Sequence, residues 1–219
     1  MSGEMQKLRA LILDFDGVIL ESNGLKTLAF REVFARYPEH LESMIRFHEE
    51  HISEARQAKF EYLARLLGRP GDKDLVADLV ADFSRRVLDR TTDCAPVSGA
   101  FEFLEEFSPR LPLFLASVNP EADLLTVLDR RDLRRHFARV YGCPPWTKTR
   151  AVDSLIDVLG GDRAGLALIG DAPSDLRTAR EAGIEFIGRD SGIPFDDPVP
   201  PLYPDMKAIA DLLRARIAS

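Results

Sequence analysis

The stretch Leu8-Arg-Ala-Leu-Ile-Leu-Asp-Phe-Asp-Gly-Val-Ile-Leu20 decides how the chain is read. Ala10 to Leu13 is a near-continuous apolar run closed by a turn signal, the pattern of a strand buried on both faces. Asp14 and Asp16 end it. Strand alternation puts their side chains on the same side, and Gly17 lets the backbone turn sharply beside them. Two carboxylates at the C-terminal end of a strand lie where open parallel sheets place their ligands. An Asp-containing turn that simply closes a strand is the other reading of these residues. The remainder of the chain has to separate the two.

Immediately downstream, a parallel α/β protein should give a helix and then another strand within about 30 residues. Asn23 to Arg90 offers helical patterns only. Phe30, Val33, Phe34 and Tyr37 share one stripe, and Leu41, Met44, Ile45 and Ile52 a second. Phe60, Leu63 and Leu67 form a third, and Leu75, Val76, Leu79, Val80, Phe83 and Val87 a fourth. Pro38 and Gly68-Arg69-Pro70-Gly71 break the run. This spacing predicts an inserted all-helical domain over residues 21–92.

Pro96-Val97-Ser98-Gly99 marks the return, and a helix with Phe101, Leu104 and Phe107 inward follows. From there strands and helices alternate. Strands are expected at Leu113 to Ala116, Arg139 to Tyr141, Leu166 to Ile169 and Glu185 to Ile187. Helices are expected at Glu121 to Leu128, Lys148 to Leu159 and Ser174 to Ala182, with Gly183 as a C-cap. Pro194 to Pro204 should run extended, and Asp205 should cap a last helix that turns Ile209, Leu212, Leu213 and Ile217 inward. The rhythm is that of an α/β fold, a doubly wound, mostly parallel sheet over residues 1–20 and 93–219.

Composition narrows the function classes. The 219 residues suffice for a sizeable core, and 45% hydrophobic with 30% charged residues is ordinary for a soluble globular chain. A net charge of −7 argues against nucleic acid and anionic membrane surfaces as partners. Met1 to Lys7 holds no apolar segment of the secretory type, and no apolar run approaches the roughly 18 residues of a membrane span. Two cysteines, Cys94 and Cys143, are too few for a disulfide framework. The expected location is the cytoplasm.

The strands of the second half end in residues that carry chemistry. Leu113 to Ala116 runs into Ser117-Val118-Asn119, and Leu166 to Ile169 into Gly170-Asp171-Ala172-Pro173-Ser174-Asp175, while Lys148 opens a helix. Singly these residues also suit a cap neighbour, a turn former and a solvated helix end. Strand C-termini of one sheet converge on one edge, however, so Asp14, Asp16, Ser117, Lys148, Asp171 and Asp175 would share a crevice. Carboxylates gathered in this way repel one another unless a hard cation sits among them, and all-oxygen ligation points to Mg²⁺. A divalent metal, a lysine and a hydroxyl make a site for a phosphoryl group. Asp14 could then attack phosphorus, and Asp16 could protonate the leaving oxygen and later take a proton from water.

These residues resemble the haloacid dehalogenase-like hydrolases in their phosphatase branch, closest in look to phosphoglycolate phosphatases. Asp14-Phe-Asp-Gly-Val looks like the first motif of that family, Ser117 like the second, Lys148 like the third and Gly170 to Asp175 like the fourth. The resemblance implies Asp14 as nucleophile, Asp16 as general acid and base, Ser117 as phosphoryl contact and Lys148 as neutralising cation. It implies Mg²⁺ held by Asp14, by Asp171 and by the Asp16 backbone carbonyl, with Asp175 supporting the metal shell or the lysine. Its fold is a Rossmann-like core with an inserted helical cap. Two features lie off the commonest pattern: Asn119 stands two residues after Ser117, and Cys143-Pro-Pro-Trp-Thr precedes Lys148. A carboxylate at Asp16 also implies an oxygen leaving group, because a departing halide needs no proton.

In the cap, Lys26, His48 and Arg56 fall on or beside the apolar stripes, and Lys26 and Arg56 with Asn119 are the candidate substrate contacts. Snorkelling of the long side chains to solvent and a satisfied interior histidine are the competing explanations. The expected activity is Mg²⁺-dependent hydrolysis of a small phosphorylated metabolite through an aspartyl-phosphate. A phosphomutase of the β-phosphoglucomutase type and a non-enzymatic regulator that accepts phosphate are the alternatives, a phosphonate-cleaving relative a more distant one. Oligomeric state has no signature in the sequence.

Overall fold

The computed structural model describes residues 8–51, 56–196 and 198–217. Met1 to Lys7, Ile52 and the side chain of Ile217, all part of the sequence expectations, lie outside the described residues. In chain order the elements are β1 (Ala10–Leu13), α1 (Leu25–Phe34), α2 (Leu41–Glu50), α3 (Arg56–Leu66), α4 (Lys73–Asp93) and α5 (Ala100–Phe107). They continue with β2 (Leu113–Ala116), α6 (Glu121–Arg130), β3 (Arg139–Tyr141), α7 (Lys148–Val158), β4 (Leu166–Gly170) and α8 (Pro173–Ala182). β5 (Glu185–Arg189), β6 (Leu202–Tyr203) and α9 (Met206–Ile217) complete them. None of the described helices is long and apolar enough to cross a membrane.

The strands form one parallel sheet in the order β3-β2-β1-β4-β5-β6, a Rossmann-like, doubly wound arrangement with its switch point beside β1. Every residue of β1 is buried, as a strand covered on both faces requires. Ala10 and Ile12 look one way, with Phe114, Ala116, Leu166 and Leu168, and pack on α7 through Val152, Leu155 and Ile156 and on α8 through Ala179 and Ala182. Leu11 and Leu13 alternate to the opposite face, the side on which α9 lies against α5 and β5. In α5 the buried residues are Phe103, Leu104 and Phe107. Phe101 is only partly buried, with the Arg131 guanidinium over its ring, so the inward stripe takes Phe103 in place of the expected Phe101. Residues 202 and 203, inside the proline-rich stretch, add a two-residue edge strand, the one place in a sheet that tolerates neighbouring prolines.

The chain divides into two compact units, one of Met1–Ser22 with Cys94–Ser219 and one of Asn23–Asp93. The second is helical and carries its own core. Phe30, Phe34, Phe60 and Phe83 meet ring to ring, Phe30 and Phe83 with centroids 4.1 Å apart, and Val33, Met44, Leu63 and Leu79 fill around them. An insertion with a separate aromatic core can fold as a unit in its own right, which is why the strand–helix rhythm is suspended across it.

At the C-terminal end of the chain, Asp205 Oδ1 accepts from the Ala208 amide at 2.9 Å, and Ser98 Oγ donates to Oδ2 at 3.0 Å. The Ala208 bond first, with help from Ser98 and against partial burial, holds the Asp205 carboxyl below the usual carboxylate range. A depressed carboxyl stabilises the folded state above its unfolded-state pKa and loses that contribution as pH falls through the folded value. Asp205→Ala is therefore expected to cost about 1 kcal/mol at neutral pH, and the gap to wild type should close in acid. Urea titrations at several pH values measure it, and a gap that does not change with pH would mean that the cap does not act through its charge.

Candidate active site

Leu13 of β1 stands opposite Leu115 of β2 and Ile169 of β4. The residues that follow, Asp14, Ser117 and Asp171, therefore emerge together at the C-terminal edge of the three central strands. The Asp14 amide is fixed there by the Ile169 carbonyl at 2.9 Å. Ser117 is buried, its amide bonded to the Tyr141 carbonyl at 3.0 Å and its Oγ accepting from the Asn119 amide at 3.2 Å.

Asp175, fully buried in the first turn of α8, folds back over the end of β4. Both of its oxygens are engaged. Oδ2 accepts from the amides of Asp171 and Ala172, each at 3.2 Å, and Oδ1 takes the Lys148 ammonium. A Cβ on residue 170 would stand 2.4 Å from the Cβ of Asp175, so only glycine leaves room for this return. Lys148 is the first residue of α7, whose N-cap Thr147 accepts from the Arg150 amide at 3.2 Å. A cation at a helix N-terminus opposes the macrodipole. Here carboxylates compensate it, because the same Nζ that meets Asp175 also lies 2.9 Å from Asp14 Oδ1.

Asp14, Asp171 and Asp175 can each place an oxygen within 4.8 Å of the others. The Lys148 ammonium is in contact with two of these three carboxylates. Burial is the largest influence on Asp14, opposed by Lys148 and reinforced by Asp175 and Asp16, and its pKa is pushed up to about 8. Burial works against the Lys148 charge as well, but Asp14 and Asp175 outweigh it and hold the ammonium above the ordinary lysine range. The ligand set is all oxygen, which fits a hard divalent cation such as Mg²⁺. A cation beside Asp14 would return it to the ionised form.

Asp16 faces a different environment. Gly17 turns the chain at φ +69° directly after it. Its Oδ2 accepts from Asn119 Nδ2 at 2.9 Å and its Oδ1 from the Ser22 hydroxyl six residues on. The Asn119 amide, expected on the substrate, is thus bonded to Asp16, and Ser22, a loop residue without periodic signal, joins the site unannounced. Lys26 and Arg56 belong to the helical unit. Lys26 is exposed, whereas Arg56 donates to Ser84 Oγ at 2.6 Å with its guanidinium over Phe83. His48 is buried between Thr27 Oγ1 at 3.1 Å and Lys59 Nζ at 2.9 Å. An ammonium can only donate, so Nδ1 accepts from Lys59 and Nε2 carries the proton toward Thr27. Burial first and the Lys59 charge second push His48 below the ordinary histidine range.

The sequence profile described as haloacid dehalogenase-like hydrolase matches residues 11–189. The chain belongs to that family. A phosphoglycolate phosphatase of Mesorhizobium japonicum is 30% identical over 102 residues, 44% of this chain and 45% of that protein, so the match spans under half of the relative's length. Among solved structures of haloacid dehalogenase-like proteins, the fold is shared with a Bacillus subtilis hydrolase bound to magnesium, at TM-score 0.70 and 16% identity over 95% of this chain and 99% of that one. A Thermotoga maritima protein provisionally assigned as a β-phosphoglucomutase has TM-score 0.72 and 20% identity over 95% and 99%. Identities this low speak for the fold alone.

Deleting one member of a buried ion pair leaves the other uncompensated. Lys148→Met should therefore lower stability by about 3 kcal/mol in metal-free buffer. The double variant Lys148→Met with Asp175→Asn should recover part of that loss. Urea denaturation of the four proteins in the cycle checks this, and additive losses would deny the coupling.

Proposed function

We propose that this family member is a Mg²⁺-dependent phosphatase that hydrolyses a small-molecule phosphomonoester through an aspartyl-phosphate on Asp14. The observation that carries the reading is the different partners of two carboxylates two residues apart. Asp14 is buried against Lys148, while Asp16 is held separately by Asn119 and Ser22.

In the first step an Asp14 oxygen attacks phosphorus, the bond from phosphorus to the ester oxygen breaks, and Asp16 gives its proton to the departing alkoxide. Water then attacks the aspartyl-phosphate, Asp16 takes a proton from it, and the Asp14 oxygen leaves as carboxylate. The products are an alcohol and inorganic phosphate. Lys148 offsets charge on Asp14 throughout, and Ser117 is the contact for the transferring group. The carboxylates of Asp14 and Asp171 and the Asp16 carbonyl would hold the ion. Asp175, with both oxygens committed, would support Lys148 and the loop of Asp171. Bound there, Mg²⁺ supplies positive charge to the phosphoryl oxygens and keeps Asp14 ionised.

The helical unit is assigned the role of a cap that selects the leaving group, because it is inserted directly after the loop of Asp16. Lys26, the nearest of the candidates to Asp16 in sequence, is its first candidate contact, with Arg56 a second. A placed acid at Asp16 also favours turnover over a stable phosphorylated signal.

Phosphate release from a panel of small phosphorylated metabolites, with Mg²⁺ and with chelator, tests this. Release should require the metal and fall by about a thousandfold or more in Asp14→Asn, while Asp171→Asn should demand higher Mg²⁺. Isomerisation of a sugar phosphate with a bisphosphate activator and no free phosphate would replace hydrolysis with phosphoryl return.

A further inference from the structure

Arg189 ends β5 and is buried, 8% exposed. Its guanidinium reaches the loop that follows Asp16. Nη1 donates to the Gly17 carbonyl and to Glu21 Oε2, both at 3.2 Å, and Nη2 donates to Glu21 Oε1 at 2.5 Å. These contacts fall on both ends of the loop. Gly17 comes one residue after Asp16, and Glu21 one residue before the Ser22 whose hydroxyl holds Asp16 Oδ1.

The loop is otherwise shaped by its own backbone. Gly17 N bonds to the Leu20 carbonyl at 2.8 Å, Glu21 N to Ala95 O at 2.9 Å and Val97 N to Ile19 O at 3.0 Å. None of those bonds reaches across to β4 or β5. Arg189 does, and its planar fork fixes direction as well as distance, which a lysine does not reproduce. Stability is a poor explanation for it. The partner Glu21 is 41% exposed, and the Arg189 Nε is buried without a hydrogen-bond partner among the described residues, a cost that an apolar side chain would avoid.

We propose that Arg189 is a positioning residue for proton transfer. It clamps residues 17–21 so that the Asp16 carboxyl stays aimed at the leaving oxygen. The inference rests on the reading of Asp16 as general acid. It requires that losing Arg189 weaken the step that needs a proton and spare the step that does not.

The test compares kcat/KM for an alkyl phosphate, whose leaving alkoxide needs the proton, with that for p-nitrophenyl phosphate, whose leaving group departs without one. In Arg189→Ala the alkyl value should fall about tenfold, a fraction of the roughly hundredfold or more that a general acid supplies, while the aryl value stays within about twofold. Asp16→Asn should show the same selectivity, larger. Equal losses on both substrates in Arg189→Ala, with Asp16→Asn still selective, overturn the positioning role and leave the acid in place. Equal losses in Asp16→Asn overturn the acid reading and the proposal with it. Should Arg189→Ala fail to fold, Glu21→Gln keeps the buried arginine and β5, weakens the clamp and is judged by the same selectivity.

Discussion

One ammonium shared between two buried carboxylates, with a third carboxylate alongside, is the constraint from which the arrangement of the α/β unit follows. Charges of one sign cannot be gathered in a low-dielectric crevice without compensation. Lys148 supplies compensation from the first turn of α7, where it reaches Asp14 and Asp175 of the three converging carboxylates. Each supporting feature serves that meeting. The register of β1 with β2 and β4 brings the strand ends level, Gly170 leaves space for Asp175, and Thr147 satisfies the helix end that Lys148 would otherwise disfavour. A packed hydrophobic edge would be easier to fold. Carboxylates gathered at such an edge fit a metal site.

The same edge gives two aspartates different surroundings. Asp14 lies against Lys148, and burial raises its pKa. Asp16, two residues on and directly before the turn at Gly17, accepts hydrogen bonds from the Asn119 side-chain amide and the Ser22 hydroxyl. That difference in surroundings is the ground on which separate roles are proposed for the two. The loop that makes the difference spans residues 17–22, and it is this loop that Arg189 grips from β5. Divergent surroundings for Asp14 and Asp16 are therefore a property of the sheet as well as of the local turn.

Much of this was legible before any coordinates. Periodicity and turn residues located the central strands and the helices between them, since buried parallel strands write continuous apolar runs and their flanking helices write stripes. The residues that read poorly were those whose role depends on a distant partner. Arg189 lay beyond the expected end of its strand at Ile187, and nothing local distinguishes an arginine that reaches back to Glu21 from a solvated one. Ser22 carries no periodic signal. Asn119 was visible as a polar residue near Ser117, yet its bond to Asp16 depends on the pairing of β1 with β2. Phe101 and Phe103 both satisfy an inward stripe on a short helix, and only tertiary packing, with α9 against α5, decides between them. The strand at residues 202 and 203 is too short, and too close to prolines, to rise above an extended segment.

Two buried lysines show how the same side chain serves different ends in the two units. Lys148 is paired with the Asp14 and Asp175 carboxylates at the end of the sheet. Lys59 stands over the Phe30 ring and donates to His48, whose imidazole is pushed toward its neutral form and passes a hydrogen bond on to Thr27. That relay ties α1, α2 and α3 together with directional bonds inside an otherwise aromatic core. An apolar core accepts several registers of three short helices, whereas a satisfied polar chain accepts few. The helical unit is thus specified by a polar contact buried in apolar surroundings and the α/β unit by an ionic one at the rim of its sheet.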